Sequence, residues 1–383
     1  MASSIMQRQG KNVDTPVGSG TDFMTKRRGR WMFRHFDRLW AFLRSSITVE
    51  EGLARRQDNF LVLRIAAAAA VIYGHASAIA PSVGTRDIFV RLGWGIYSGD
   101  IAVNIFFLIS GFLVTGSYIR QRSFYKFAKA RILRVYPAFV LNVVLLATVY
   151  GLMFTSLPSA EYLHHGGVWN YIATNLKMSS NMVWTLPGVF EDGAKTAAIN
   201  GAQWTLPAEV RMYVLLGILG AIGLFASVRV ATLVLAALFL TGLVHPELFP
   251  LNQTWLRLAG YFMLGVCIYL HRASIRVSLE LVVALVLAAV LVRHLPPYPM
   301  VFALALAGVV GFIAYLMPPW RWLERFGDPS YGIYLWGWPC QQAVAHIFPG
   351  AGLTLHVGSS LAMATVMGYG SWTLLEKQML RLK

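Results

Sequence analysis

Residues 60–80 read FLVLRIAAAAAVIYGHASAIA, twenty-one positions in which Arg64 and His75 are the basic side chains in an otherwise apolar run. A helix rising 1.5 Å per residue needs about 20 such residues to cross a hydrocarbon core of about 30 Å. Nine further stretches of comparable character follow, at 97–119, 135–155, 206–226, 229–245, 255–271, 279–293, 299–317, 330–348 and 353–374. The pattern predicts an all-α, polytopic transmembrane helical bundle of about ten spans.

Composition agrees with the pattern. The 383 residues are 56% hydrophobic and 13% charged, whereas soluble domains carry about 25% charged residues. A large soluble domain is thereby excluded. The net charge of +16 would suit nucleic acid if it formed one basic face, but the cations fall in short connections between apolar runs, so no nucleic-acid partner is expected. Cys267 and Cys340 both lie inside apolar segments and read as packing residues, not as a disulfide or a metal site.

Orientation follows from Lys and Arg counts in the connections. With the N-terminus inside, the inner side holds 25 of the 33 Lys and Arg residues and the outer side seven, with Arg64 inside the first span. Both termini are therefore expected in the cytoplasm. Residues 1–30 are polar and basic and read as disordered, without the apolar core of a secretory signal. Residues 31–58 read as a cytoplasmic amphipathic helix lying in the membrane interface, followed by a linker. Residues 59–376 form the membrane domain and 377–383 a cytoplasmic tail. The longest outer segment, 156–205, carries Trp169, Trp184 and Trp204 and reads as an ordered cap.

Ionisable side chains inside spans are costly, so each is a candidate for function. Arg64 and His75 are eleven residues apart, a rotation of about 1100°, which returns them to one face about 16 Å apart along the axis. Ala68 and Val71 lie between them on that face and leave room for a helix or a chain to approach. The bland alternative has Arg64 snorkelling to headgroups and His75 bonding a carbonyl. In the second span Ser110-Gly111 permits close packing, and the hydroxyl can bond backbone or ligand. Six cations lie between Arg120 and Arg134 without an acid. They serve topology in one reading; in the other, Arg131 and Arg134, three apart on one helix face, bind phosphates through their planar forks. Glu209 stands in the first turn of the fourth span after Pro207, where an acid ordinarily caps. Counted inward from the outer surface, it reaches within about one turn of His75, where a carboxylate would orient an imidazole serving as general base.

Taken in order, these stretches resemble the signatures of the membrane acyltransferase-3 family. They are Arg64 with His75, Phe-Phe-Leu-Ile-Ser-Gly-Phe-Leu at 106–113, Arg131 and Arg134 with Tyr136-Pro137, and Trp204-Thr-Leu-Pro-Ala-Glu209 with Tyr213. Ser330-Tyr331-Gly-Ile-Tyr334-Leu-Trp336 and Trp372 to Glu376 complete the set. The likeness spans about 58 to 376. Asn104 and Gly337 depart from it, standing where members often carry an acid and a histidine. The resemblance implies a multi-pass protein of the bacterial cytoplasmic membrane that transfers an acyl group, commonly acetyl, from acyl-CoA to a hydroxyl of a carbohydrate or glycosylated acceptor. It implies catalytic roles for His75, Glu209 and Ser110 and cofactor contacts from Arg64, Arg131, Arg134 and Tyr331. Acyl-CoA is the only cofactor expected, and no metal, since no pair of embedded histidines and acids shows ligand spacing. Two rival classes are a transporter or flippase, which also buries charge within spans but usually shows an internal repeat absent here, and a membrane scaffold recruited by its basic N-terminus.

Overall fold

The computed structural model describes residues 45–84, 87–191, 196–249 and 251–383. The expected basic segment at 1–30 and most of the expected interfacial helix lie outside the described residues. What is described is built almost wholly of helices: α1 Val49–Ala54, α2 Phe60–Ile79, α3 Ser98–Gln121, α4 Phe124–Leu145, α5 Leu206–Ala221, α6 Val228–Val244, α7 Gln253–Leu270, α8 Leu279–Leu291, α9 Tyr298–Tyr315, α10 Ser330–Ile347 and α11 Leu353–Ser371. Each of α2 to α11 overlaps one of the ten apolar segments of the sequence, with α4 beginning at Phe124, well before the expected 135. Among them α2, α3, α4 with its continuation to Phe154, and α9 are long and apolar enough to cross a membrane, while α6 and α8 are apolar but shorter.

The boundaries follow from local chemistry. Helix α2 runs through an alanine-rich sequence and stops at Ala80 (φ −104°, ψ 112°), since the residue before Pro81 is pushed out of the helical region. Its start is pinned by Asn59, whose amide donates to the Ile313 carbonyl at 2.9 Å and whose oxygen accepts from the Trp320 N–H at 3.0 Å. Helix α3 ends at Arg122 in a left-handed conformation (φ 48°). Ser123 then caps α4 at once, so Lys126, Lys129, Arg131 and Arg134, expected in the connection before the third span, lie in the first three turns of a helix, while Arg120 ends α3 and Arg122 is its C-cap. That correction fixes Arg131 and Arg134 on a rigid element.

Helix α2 packs on α3, α10, α11 and α9, and α3 packs along α7. Backbones of α3 and α7 touch where glycine permits it. A Cβ on Gly111 would collide with the Phe262 carbonyl, and one on Gly265 with the Leu108 carbonyl. Such contact maximises dispersion attraction where lipid supplies no hydrophobic drive between helices.

Two features differ from expectation. The supposed linker before Asn59 pairs in an antiparallel ribbon, Ser46–Thr48 against Arg276–Ser278, with Ile47 opposite Val277. Both of these β-branched side chains are buried, and the helix that follows, α1, opens with a capping box between Thr48 and Glu51. The second is a π-helical turn at Leu146–Tyr150 that carries α4 on into Gly151–Phe154.

Residues 155–191 and 196–205 are folded onto the bundle. Short helices Ser159–His164 and Gly166–Asn175 bury Tyr162, Val168 and Tyr171, and the Tyr162 hydroxyl donates to the Ala147 carbonyl at 2.7 Å. The chain then descends along α10: Gln342 and Trp338 donate to the Ala198 carbonyl at 2.7 and 2.9 Å, and Thr205 meets the Tyr334 hydroxyl at 2.7 Å. Helix α5 therefore begins inside the bundle.

Candidate active site

Helices α2, α3, α4, α5 and α10 enclose a chamber of about 140 Å³. Arg64, Ser110, Arg131, Arg134, Glu209 and Tyr331 all line it, although they come from five separate stretches of sequence. Each is delivered by helical spacing: Arg131 and Arg134 share one face of α4, and Ser110 sits one residue before the glycine that lets α3 touch α7.

One end of the chamber is ionic. Asp328, in the loop before α10, accepts from Arg134 at 2.7 Å and pairs with Arg64 at 3.1 Å. Arg134 also reaches Glu376 at 3.3 Å, and Ser371 donates to the same carboxylate at 2.9 Å. Burial alone would lift the Asp328 carboxyl, but Arg134, Arg64 and the Ser330 donors outweigh it and hold the group below the usual carboxylate range. Asp328 and Glu376 were not among the site residues expected from sequence. Asp328 lies in a Gly-Asp-Pro-Ser turn with no periodicity, and the signal available was an acid in a connection rich in arginine.

Arg131 differs from its neighbours. It forms no ion pair among the described residues, its Nε is buried without a partner, and its guanidinium lies 5.9 Å over the Tyr213 ring and 6.0 Å over Phe127. Tyr331, expected at the cofactor, places its ring 6.0 Å beneath Arg134 and donates its hydroxyl to the Val135 carbonyl at 3.0 Å. Its polar atom is thus committed to holding α10 on α4.

The middle of the chamber holds a hydroxyl–carboxylate triad. The Tyr213 hydroxyl donates to Glu209 Oε1, Ser110 donates to the same oxygen at 3.3 Å, and the two hydroxyls lie 2.7 Å apart. Beyond it, Phe106 packs edge-on against Tyr334 at 5.6 Å.

His75 is not part of the chamber lining. Its ring packs edge-on against Trp338 at 4.8 Å, its Nε2 lies 3.5 Å from the Tyr97 hydroxyl, and its Nδ1 is buried and unpartnered. The expected contact, in which Glu209 would orient His75, does not form: Glu209 accepts from Tyr213 and Ser110 instead. Glu209 sits lower than an inward count from the outer surface gives, because the chain descends past Trp338 and Tyr334 before α5 begins, and its carboxylate meets Ser110 at the level of Arg64.

Asn104 and Gly337, the two departures from the family pattern, also have defined surroundings. Asn104 is fully buried and neither of its side-chain polar atoms has a partner. A Cβ on Gly337 would meet Ile72 at 2.9 Å, so this crossing of α10 over α2 is closed to a larger side chain.

A family model described as "Acyltransferase domain" matches residues 58–375. An O-acetyl transferase of Shigella phage Sf6 is 28% identical over 352 residues, covering 85% of this chain and 96% of that protein. Nodulation protein 10 of Rhizobium leguminosarum bv. viciae is 28% identical over 371 residues, covering 87% of this chain and 96% of that protein. No solved structure matches the chain.

Proposed function

The chain belongs to the acyltransferase-3 family, and from that premise we propose that this multi-pass membrane acyltransferase takes its acyl group, acetyl foremost, from acyl-CoA and delivers it to a hydroxyl of a carbohydrate or glycosylated acceptor. In this reading α2 to α11 all cross the bacterial cytoplasmic membrane, both termini face the cytoplasm, and the segment at 156–205 receives the acceptor outside.

The observation that supports it most is one chamber holding three arginines at one end and a hydroxyl–carboxylate triad in its middle. CoA is a polyphosphate with a long thioester arm. Arg131 offers donors that no carboxylate has claimed, so phosphate docks there first, with Arg64 and Arg134 able to exchange Asp328 for phosphate oxygens. Tyr331 keeps Arg134 in place. The arm then runs past Ser110, whose hydroxyl is held by Glu209 and can bond the thioester carbonyl.

His75 acts at the far end. A neutral imidazole takes the proton of the acceptor hydroxyl as its oxygen attacks the thioester carbonyl; the carbon–sulfur bond breaks, and the CoA thiolate leaves and recovers a proton. For that, the acyl group passes the Phe106–Tyr334 pair. The position of His75 outside the chamber favours a second assignment of the base: Glu209, which is in the chamber with Ser110 and Tyr213, takes the proton instead.

Detergent-purified protein given acetyl-CoA and a glycan extract should release CoA thiol, with mass spectrometry showing the acylated acceptor. A transporter releases none, and absence of thiol with every acyl-CoA and acceptor tried would remove the reading.

A further inference from the structure

A second cavity, of about 230 Å³, adjoins the chamber. Apart from Arg276 and the Tyr315 hydroxyl its lining is apolar, supplied by α3 and by α7, α8 and α9 through side chains such as Leu264, Leu285 and Ala307. An enclosed cavity of about 150 Å³ with similar lining stays dry and takes up benzene; here the space also opens at the surface of the bundle, past Leu281 and Leu304, which are 45% and 48% exposed. This one has room for an alkyl chain.

The two spaces share a wall. Helix α2 presents Phe60 to the apolar cavity and, one turn on, Arg64 to the chamber. Helix α3 presents Leu108 and Phe112 to the cavity, Phe107 and Ser110 to the chamber, and Ile109 to both. Ile109 is 2% exposed. Ile109 is thus the residue that lines both spaces, and it is next in sequence to the serine beside which the thioester lies.

We infer that Ile109 sets the length of the acyl group this enzyme transfers, and that the apolar space behind it, cut off from the chamber by that side chain, is a pocket for a straight alkyl chain. The inference rests on the acyl-CoA reading above, with the thioester held at Ser110 in the chamber, as in the assignment of Glu209 as base. A two-carbon acyl group stops short of Ile109, whereas the later carbons of a longer chain meet it. A buried, rotamer-restricted side chain yields little to such an intrusion. Truncation to alanine removes three carbons from the seam and joins the chamber to the apolar space.

Full-length protein in detergent, assayed for CoA thiol release with acceptor and acetyl-, butyryl-, hexanoyl- or octanoyl-CoA, tests this. Wild-type kcat/KM should fall more than about tenfold from acetyl to hexanoyl. In Ile109→Ala the hexanoyl-to-acetyl ratio should rise by at least about tenfold, with up to about fourfold for each further methylene buried. Ile109→Val should move the ratio the same way by less, which covers failure of the alanine variant to fold. Adding Ala307→Leu, which fills the far cavity, should remove the gain on octanoyl.

An unchanged ratio in folded Ile109→Ala and Ile109→Val would overturn the inference, as would wild-type use of hexanoyl equal to acetyl. So would a gain that Ala307→Leu leaves intact. A membrane-lipid tail is the other source of the same chemistry: if native mass spectrometry shows phospholipid held in wild type and lost in Ala307→Leu while chain-length ratios stay fixed, the cavity belongs to the bilayer. Thiol release by none of the proteins from any donor would instead remove the acyl-CoA reading itself, and the inference with it.

Discussion

At Arg64, helix α2 faces a network in which two arginines share Asp328 and one of them also holds Glu376. At His75, on the same face eleven residues along, it meets the rings of Trp338 and Tyr97, and one imidazole nitrogen has no partner. The two ends differ in what removal of a side chain leaves behind. Charge withdrawn from water is tolerated only with its partner present, so deleting one member of the ionic end strands another. The aromatic end holds its imidazole by shape, and deletion there strands no charge. Loss of function at the His75 end should thus appear without loss of fold, while at the Asp328 end the two come mixed.

The sharpest break of this contrast is at His75. His75→Ala should lower kcat by about 10²–10⁴, the usual worth of a general base, with the KM for acetyl-CoA and the thermal midpoint little changed. Glu209→Gln keeps shape but loses the charge that accepts from Tyr213 and Ser110. If Glu209→Gln shows the larger fall in kcat and His75→Ala stays near wild type, the base lies in the chamber and His75 is a packing residue.

Arginine variants sharpen the other side. Arg131→Gln removes a guanidinium with no ion-pair partner among the described residues, so the KM for acetyl-CoA should rise by about 10- to 100-fold, the scale of charge-assisted hydrogen bonds, at unchanged stability. Arg134→Ala strands Glu376, which is 2% exposed, and should cost about 3–5 kcal/mol of stability along with its effect on KM. Calorimetry beside kinetics separates these. Equal stability of the two variants would show that the ionic end is not the coupled unit drawn from its geometry.

Residue spacing made much of this legible. Arg64, Ser110, Arg131, Arg134 and Glu209, picked out by residue type and spacing, line one chamber, because helical periodicity and the cost of buried charge leave few places for such side chains; Tyr331, which lines it too, came from the family resemblance alone. What spacing could not deliver was depth. The Glu209–His75 contact rested on counting residues inward from a surface, and the descent through Thr205 beside Tyr334 moved that origin by several residues. Nor could periodicity find Asp328, because a turn residue has no face until the helices around it are in place. The ribbon of Ser46–Thr48 with Arg276–Ser278 was hidden for the same reason: three-residue strands far apart in sequence carry no period of their own.

The smallest expected effect concerns acid. The Asp328 carboxyl is held below its unfolded value, which for an aspartate is about 3.9. A depressed native value means that the unfolded chain binds the proton more readily. The stabilisation is therefore complete above about pH 4 and is lost as pH falls through the native value. Asp328→Asn lacks that titration. It should be less stable than wild type at pH 6, since Arg64 and Arg134 lose their shared partner, yet its thermal midpoint should fall less steeply as pH drops below about 4. Equal slopes in the two proteins would mean that acid acts through carboxylates elsewhere, and that Asp328 bridges the two arginines without setting their response to pH.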